Sequence, residues 1–180
     1  MLDDIFDEIK VLLQKGITEK GHAFRYCTVA TVDQNNIPQQ RTMVFRELSE
    51  TLELFVYTDQ RSSKIKQLHS NKHISLLFYE PKSRIQIKIN GIAEILSEKM
   101  TKKRWDMISD KGINDYCTTI APGSTIKDPT VVSYNYEQPY FSVVKITTET
   151  IEYLRLDHPN HIRAKYILEE NQWKSSFIAP

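Results

Sequence analysis

At 180 residues, with 40% hydrophobic and 26% charged side chains, the chain has the length of a single domain (residues 1–180) and enough apolar surface to build a core without disulfide or metal staples. A formal net charge of +1 excludes a long-range field toward nucleic acid or an anionic membrane, so any basic cluster acts locally. Cys27 and Cys117 lie far apart, with no spacing that suits zinc or a disulfide framework. Five glycines are scattered singly, so no glycine-rich phosphate loop can be assembled, and HExxH, GxSxG and DxDxDG are absent. The acidic first turn (Asp3, Asp4, Asp7, Glu8) is unlike a secretory leader, and no apolar run approaches the roughly 18 residues of a membrane span. A reduced, cytoplasmic protein is the expectation.

In chain order, Leu2, Ile5, Phe6, Ile9, Leu12 and Leu13 form the stripe of an amphipathic packing helix, with Gly16 as its C-terminal stop. Residues 24–32 and 39–48 are rich in strand formers and flank turn residues 33–38, which predicts a β-hairpin. A turn at 47–50 leads to a strand over 51–58, and period-two spacing gives way to helical spacing at Ile65 and Leu68. A strand at 73–79 precedes the alternation of Ile85, Ile87 and Ile89, and Gly91 interrupts that run, as at a bulge or barrel corner. Ser97 reads as the cap of a helix over 98–110, with Trp105 and Ile108 inward. Residues 118–133 receive no assignment. Strands at 140–147, 150–156, 162–168 and 173–178 close the chain. Many short strands with few helices predict a mainly β fold, an antiparallel barrel with peripheral α-helices.

The chemistry concentrates between Arg41 and Gly91. Arg41 and Arg46 bracket the apolar run Met43, Val44, Phe45, and Arg61, Ser62, Ser63 and Lys64 arrive where a helix begins. A helix start offers unpaired amides and partial positive charge, so hydroxyls and cations there make an anion site. Each residue also has an ordinary use: a cap for Ser62, a solvated helix position for Lys64, an outward strand face for Gln86, core packing for Met43 and Val44. Their order and spacing carry more weight than any one of them.

The series Arg41-Thr42-Met43-Val44-Phe45-Arg46, Tyr57-Thr58, Ser62-Ser63-Lys64 and Gln86 resembles the FMN-binding core of the pyridoxamine 5'-phosphate oxidase family. Ile151-Glu152-Tyr153, His161, Arg163, Trp173-Lys174 and the terminal Ile178-Ala179-Pro180 resemble its closing motif. The resemblance implies a split β-barrel that binds FMN at a homodimer interface, with Arg41 and Lys64 on the flavin phosphate. It also implies hydroxyl or backbone contacts from Tyr57, Thr58, Ser62 and Ser63, and the backbone of Met43 and Val44 beside the ring, after Thr42 in the same motif. Gln86 is expected near the ring, and Arg163 across the interface.

The substrate half of the motif departs from the family. Arg46 stands where the family has a lysine, Leu154 where it has a tryptophan, and Pro159 where an arginine faces the substrate ring. No equivalents of its phosphate-clamping tyrosine, arginine and serine are found between residues 105 and 116. The expectation is therefore an FMN-dependent oxidoreductase with an altered substrate pocket, in which Arg46 and His161 orient a substrate anion. The alternatives are a flavin reductase or stress-associated flavoprotein without a B6 substrate, and a non-catalytic flavin or haem carrier.

Overall fold

The structure, a computed structural model, describes residues 1–108 and 110–180. Eight strands follow one another as β1 (Tyr26–Val32), β2 (Pro38–Leu48), β3 (Leu54–Asp59), β4 (His73–Glu80), β5 (Ile85–Ile95), β6 (Phe141–Arg155), β7 (Ile162–Glu169) and β8 (Gln172–Phe177). All pairings are antiparallel, in the order β3-β2-β1-β4-β5-β6-β7-β8, and a further β3–β6 pairing closes the first six into a barrel. Among the described residues three helices of two turns or more lie at the margins, α1 (Leu2–Thr18), α2 (Ser63–Ser70) and α3 (Glu98–Trp105), and a single helical turn spans Asp110–Ile113. The expected split barrel with peripheral helices is the fold observed.

The longest strand makes the closure possible. The first part of β6, Phe141 to Ile146, pairs with β3, while its last part, Thr150 to Arg155, pairs with β7. The sequence predicts two strands here, but Thr148 and Glu149, left between them, continue through the corner as backbone of one 15-residue strand. The pairing is irregular there: Asn90 faces Thr150 and Gly91 faces Thr148, so Glu149 is an extra residue on β6 opposite the interrupting glycine of β5. A Cβ at Gly91 would stand 2.1 Å from the Thr147 carbonyl oxygen, so two backbones meet where only glycine fits.

Alternation on β1, β4 and β5 sends Cys27, Val29, Ile74, Leu76, Phe78, Ile85, Ile87 and Ile89 into the core. Phe24, Phe45 and Phe78 meet there with ring centroids 5.2–5.4 Å apart. Along α1, Ile5, Ile9 and Leu13 are buried as the stripe requires. The helix is also tied to the β6–β7 extension: Tyr153 donates to Glu8 at 2.8 Å, Tyr166 donates to the Leu2 carbonyl at 2.7 Å, and Phe6 packs on Tyr166 and Trp173.

Two helix boundaries differ from expectation. Gly16 lies within α1 rather than ending it, because a Cβ there would come 2.6 Å from the Phe24 carbonyl oxygen; close packing, not termination, is its role. The helix over 98–110 ends at Trp105, where Met107 and Ile108 close tighter turns onto Arg104 and Trp105; position 109 lies outside the described residues. Ser97 sits at the cap position of α3, but its hydroxyl makes no capping bond. Trp105 and Ile108 do turn inward, against a second cluster of Phe55, Leu96, Tyr116, Phe141 and Val143. The unassigned stretch is a loop pinned by a Thr118–Tyr134 bridge and a Thr119–Ser133 hydrogen bond.

Replacing Gly91 by alanine is expected to cost about 2–3 kcal/mol, because the new carbon meets backbone that cannot rotate away. Gly21→Ala, at a left-handed φ of +89° with open space around it, is expected to cost about 1 kcal/mol from backbone strain alone. Urea unfolding of both variants checks the order.

Candidate functional site

β2 and the β3–α2 junction build one face of a cleft of about 250 Å³, and the loop at Asp115, Tyr116 and Pro122 forms the other. Arg41 is set opposite Val29 on β1, so its guanidinium emerges at the barrel rim beside α2. It donates to the Thr31 hydroxyl at 2.7 Å, to Gln67 Oε1 on α2 at 3.2 Å and to the Val29 carbonyl at 3.4 Å. Lys64, in the first turn of α2, donates to the Thr58 hydroxyl at 2.8 Å, and that hydroxyl lies 3.3 Å from Ser62 Oγ. Ser62 occupies the cap position, yet its hydroxyl makes no capping bond; it faces Thr58 instead.

The two cations strain against one another. Burial lowers the Arg41 pKa. For Lys64, burial first and the Arg41 charge second bring it down to about 8, partly offset by Asp59. Asp59 is itself committed: Arg61 grips it through Nε and Nη2 at 3.1 and 2.6 Å, then reaches the Thr118 carbonyl at 2.7 Å and lies over the Tyr140 ring. Sequence reasoning grouped Arg61 with the anion site. The structure makes it a clamp between the turn before α2 and the loop opposite.

The far end of the cleft holds Arg46, Tyr57 and Tyr116. Tyr57 donates to Glu47, which also accepts from Arg104 Nε at 2.8 Å, and the Arg46 guanidinium carbon lies 5.6 Å from the Tyr57 ring centroid. Burial, then the Glu47 carboxylate, push the Tyr57 hydroxyl pKa upward. Tyr116 is also pushed up by burial, with Arg46 pulling it back.

Arg41, Thr42, Met43, Val44, Arg46, Tyr57, Thr58 and Lys64 thus share one cleft, with buried Ser62 behind it and exposed Ser63 opening α2. Gln86, Arg163 and His161 are not in that cleft. Gln86 and Arg163 flank Leu154 in one cross-strand row of β5, β6 and β7, and Arg163 pairs with Glu152 at 2.9 Å. His161 precedes β7 rather than sharing a strand face with Arg163, and its Nδ1 lies 2.9 Å from the Asp157 carbonyl oxygen. Sequence reasoning missed Thr31 and Gln67 as the braces of Arg41, and Tyr116 as a cleft wall. The braces have ordinary strand and helix identities, and Tyr116 sits in a segment without periodicity.

The donor set fits a flavin mononucleotide: two cations and paired hydroxyls at a helix start suit a phosphate, and the backbone at Met43 and Val44 offers an apolar edge for a flat ring. Fold and cleft together define the class of split-barrel FMN-binding proteins. The family model for the pyridoxamine 5'-phosphate oxidase FMN-binding domain matches residues 7–97. The chain is 35% identical over 95 residues to a pyridoxine/pyridoxamine 5'-phosphate oxidase of Vibrio campbellii, a match covering 52% of this chain and 44% of that protein. With the Escherichia fergusonii protein of the same name it is 27% identical over 165 residues, covering 84% of this chain and 75% of the relative.

Among solved structures, a pyridoxamine 5'-phosphate oxidase-related, FMN-binding protein of Nostoc punctiforme superposes with a TM-score of 0.81 at 24% identity, covering 97% and 96% of the two chains. PhzG of Burkholderia lata, solved in complex with tetrahydrophenazine-1-carboxylic acid, superposes with a TM-score of 0.80 at 18% identity, covering 97% and 92%. The chain belongs to the pyridoxamine 5'-phosphate oxidase FMN-binding family, and FMN is its cofactor.

The Lys64 pKa gives a pH test with a definite sign. A phosphate dianion alongside would raise that pKa, so binding above pH 8 takes up a proton. FMN affinity is expected to be greatest below pH 8 and to fall by up to about tenfold per unit above it, while riboflavin, which lacks the phosphate, shows no such slope. Flavin titrations at pH 7, 8 and 9 check this.

Proposed function

We propose that the protein is an FMN-dependent oxidoreductase acting on a small anionic substrate in a pocket altered from the B6 oxidases, and that it works as a homodimer in the cytoplasm. The observation that carries this is the convergence of Arg41 and Lys64, with Thr58 and Ser62, on one end of a cleft whose other end holds Arg46.

Arg41 and Lys64 hold the FMN phosphate, helped by Thr42, Tyr57, Thr58, Ser62 and Ser63, and the backbone of Met43 and Val44 runs beside the ring. Bound FMN supplies two-electron redox chemistry, so no protein nucleophile is required. The chain's own residues bind, orient and exclude water. Arg46 and His161 orient the substrate anion.

A second copy of the chain brings Gln86, Arg163 and His161 to the cleft, because none of the three lines the cleft of its own chain. An outward sheet face with exposed Tyr26 and Tyr79 supports such a contact. Among the described residues no helix is long and apolar enough to cross a membrane, and both cysteines are buried free thiols, which suits a reducing compartment.

A flavin reductase or stress-associated role on the same scaffold is the second reading, favoured by Leu154 and Pro159 where the family's substrate residues stand. Pyridoxamine and pyridoxine 5'-phosphates are expected to be poor substrates on either reading, and an oxygen-dependent aldehyde assay measures that.

Arg41→Ala combined with Lys64→Ala is expected to abolish flavin absorbance in the purified protein, whereas stoichiometric flavin in that double variant refutes the assignment. Arg163→Ala is expected to weaken FMN about tenfold without loss of the fold, an effect that requires a dimer if the residue acts from the second copy.

A further inference from the structure

The substrate end of the cleft carries a charge arrangement that selects among anions. β2 is irregular where it passes β3: Phe45 faces Val56 and Glu47 faces Phe55, leaving Arg46 as an extra residue without a partner on β3. Such a bulge re-aims its side chain, and here it turns Arg46 into the cleft beside Tyr57 and Tyr116. Arg46 Nε is buried and has no hydrogen-bond partner among the described residues. A buried donor without a partner calls for an explanation, and an acceptor arriving in the cleft would supply one.

Glu47, the next residue, decides what that acceptor can be. Its carboxylate accepts from the hydroxyl of Tyr57, a cleft-lining residue, and from Arg104 Nε, so both donors are already engaged. It also cancels one of the two arginine charges at this end. Asp115 lines the cleft from an exposed position, and no ion pair joins it to Arg46 among the described residues. Among the described residues, Arg46 is the cation lining this end of the cleft that no ion pair engages.

Resting on the FMN-cleft reading above, we propose that this end is the site for a single planar carboxylate, with Arg46 as its two-pronged partner and Glu47 as the residue that rejects a phosphate dianion. A guanidinium presents paired N–H groups that match a carboxylate edge. A phosphate dianion carries a second negative charge toward Glu47 and finds neither the Tyr57 nor the Arg104 donor free, so the repulsive element sets the preference.

Benzoate and phenyl phosphate serve as probes, titrated calorimetrically into the FMN-saturated protein. FMN binding itself is followed separately by visible absorbance. Benzoate is expected to bind at least about tenfold more tightly than phenyl phosphate, and Glu47→Gln to shift the ratio toward phenyl phosphate by about tenfold or more. Arg46→Lys keeps the charge and removes the fork, so it is expected to weaken benzoate by about tenfold while leaving phenyl phosphate nearly unchanged. This variant carries the test if Glu47→Gln fails to fold.

Equal or tighter binding of phenyl phosphate to the native protein, an unchanged ratio in Glu47→Gln, or no binding of either probe would overturn the proposal. Absence of FMN binding would instead sink the flavin reading, and the probe preference is then read on the flavin-free protein.

Discussion

Two like charges held together at a helix start are the constraint on which the rest of the site depends. Arg41 is anchored to β1 and α2 through Val29, Thr31 and Gln67, and Lys64 is anchored to β3 through Thr58. Neither side chain is free to swing away from the other, and burial lowers the pKa of each. Their mutual repulsion is therefore built into the folded chain. A phosphate held there as proposed would relieve it, and because the donors are already in position, little ordering cost would be left to binding. The barrel supplies this rigidity, since β1, β2 and β3 are neighbours in one hydrogen-bonded sheet.

Two departures from regular pairing shape the remainder. The extra residue Glu149, opposite the Asn90–Gly91 step of β5, lets β6 turn its corner, so that one strand both closes the barrel and carries the β7–β8 extension. The irregularity at Arg46 turns a cation into the cleft that regular pairing would send elsewhere. Bulges in antiparallel sheets are places where side chains are re-aimed, and this fold uses one for closure and one for the site.

Much of this could be read before the coordinates. The hairpin of β1 and β2, the helix at Ser63 and the alternation of β5 follow from local periodicity, and Arg41, Thr58 and Lys64 fall at element ends where a site can form. What could not be read depends on contacts distant in sequence. Gly16 looks like a helix terminator because nothing local announces the Phe24 carbonyl beside it. Thr148-Glu149 looks like a break between two strands because its polarity is local, while the pairing with β5 that carries β6 through it is not. Arg61 looks like an anion ligand until Asp59 and the loop carbonyls claim it. Glu47 carries no motif at all, and its meaning comes from Tyr57 and Arg104 meeting on it.

The shared strand β6 has a kinetic consequence. Its partners β3 and β5 both precede a long loop and α3, so the seam between β3 and β6 joins stretches far apart along the chain. Loop-closure entropy opposes that seam until strands β1–β5 have come together as a sheet, so closure is expected late. Asp59 and Thr58 lie on β3 at this seam. The cleft wall that Thr58 supplies is thus completed only as the barrel shuts, and with the FMN phosphate held there as proposed, flavin uptake would report the last step of folding.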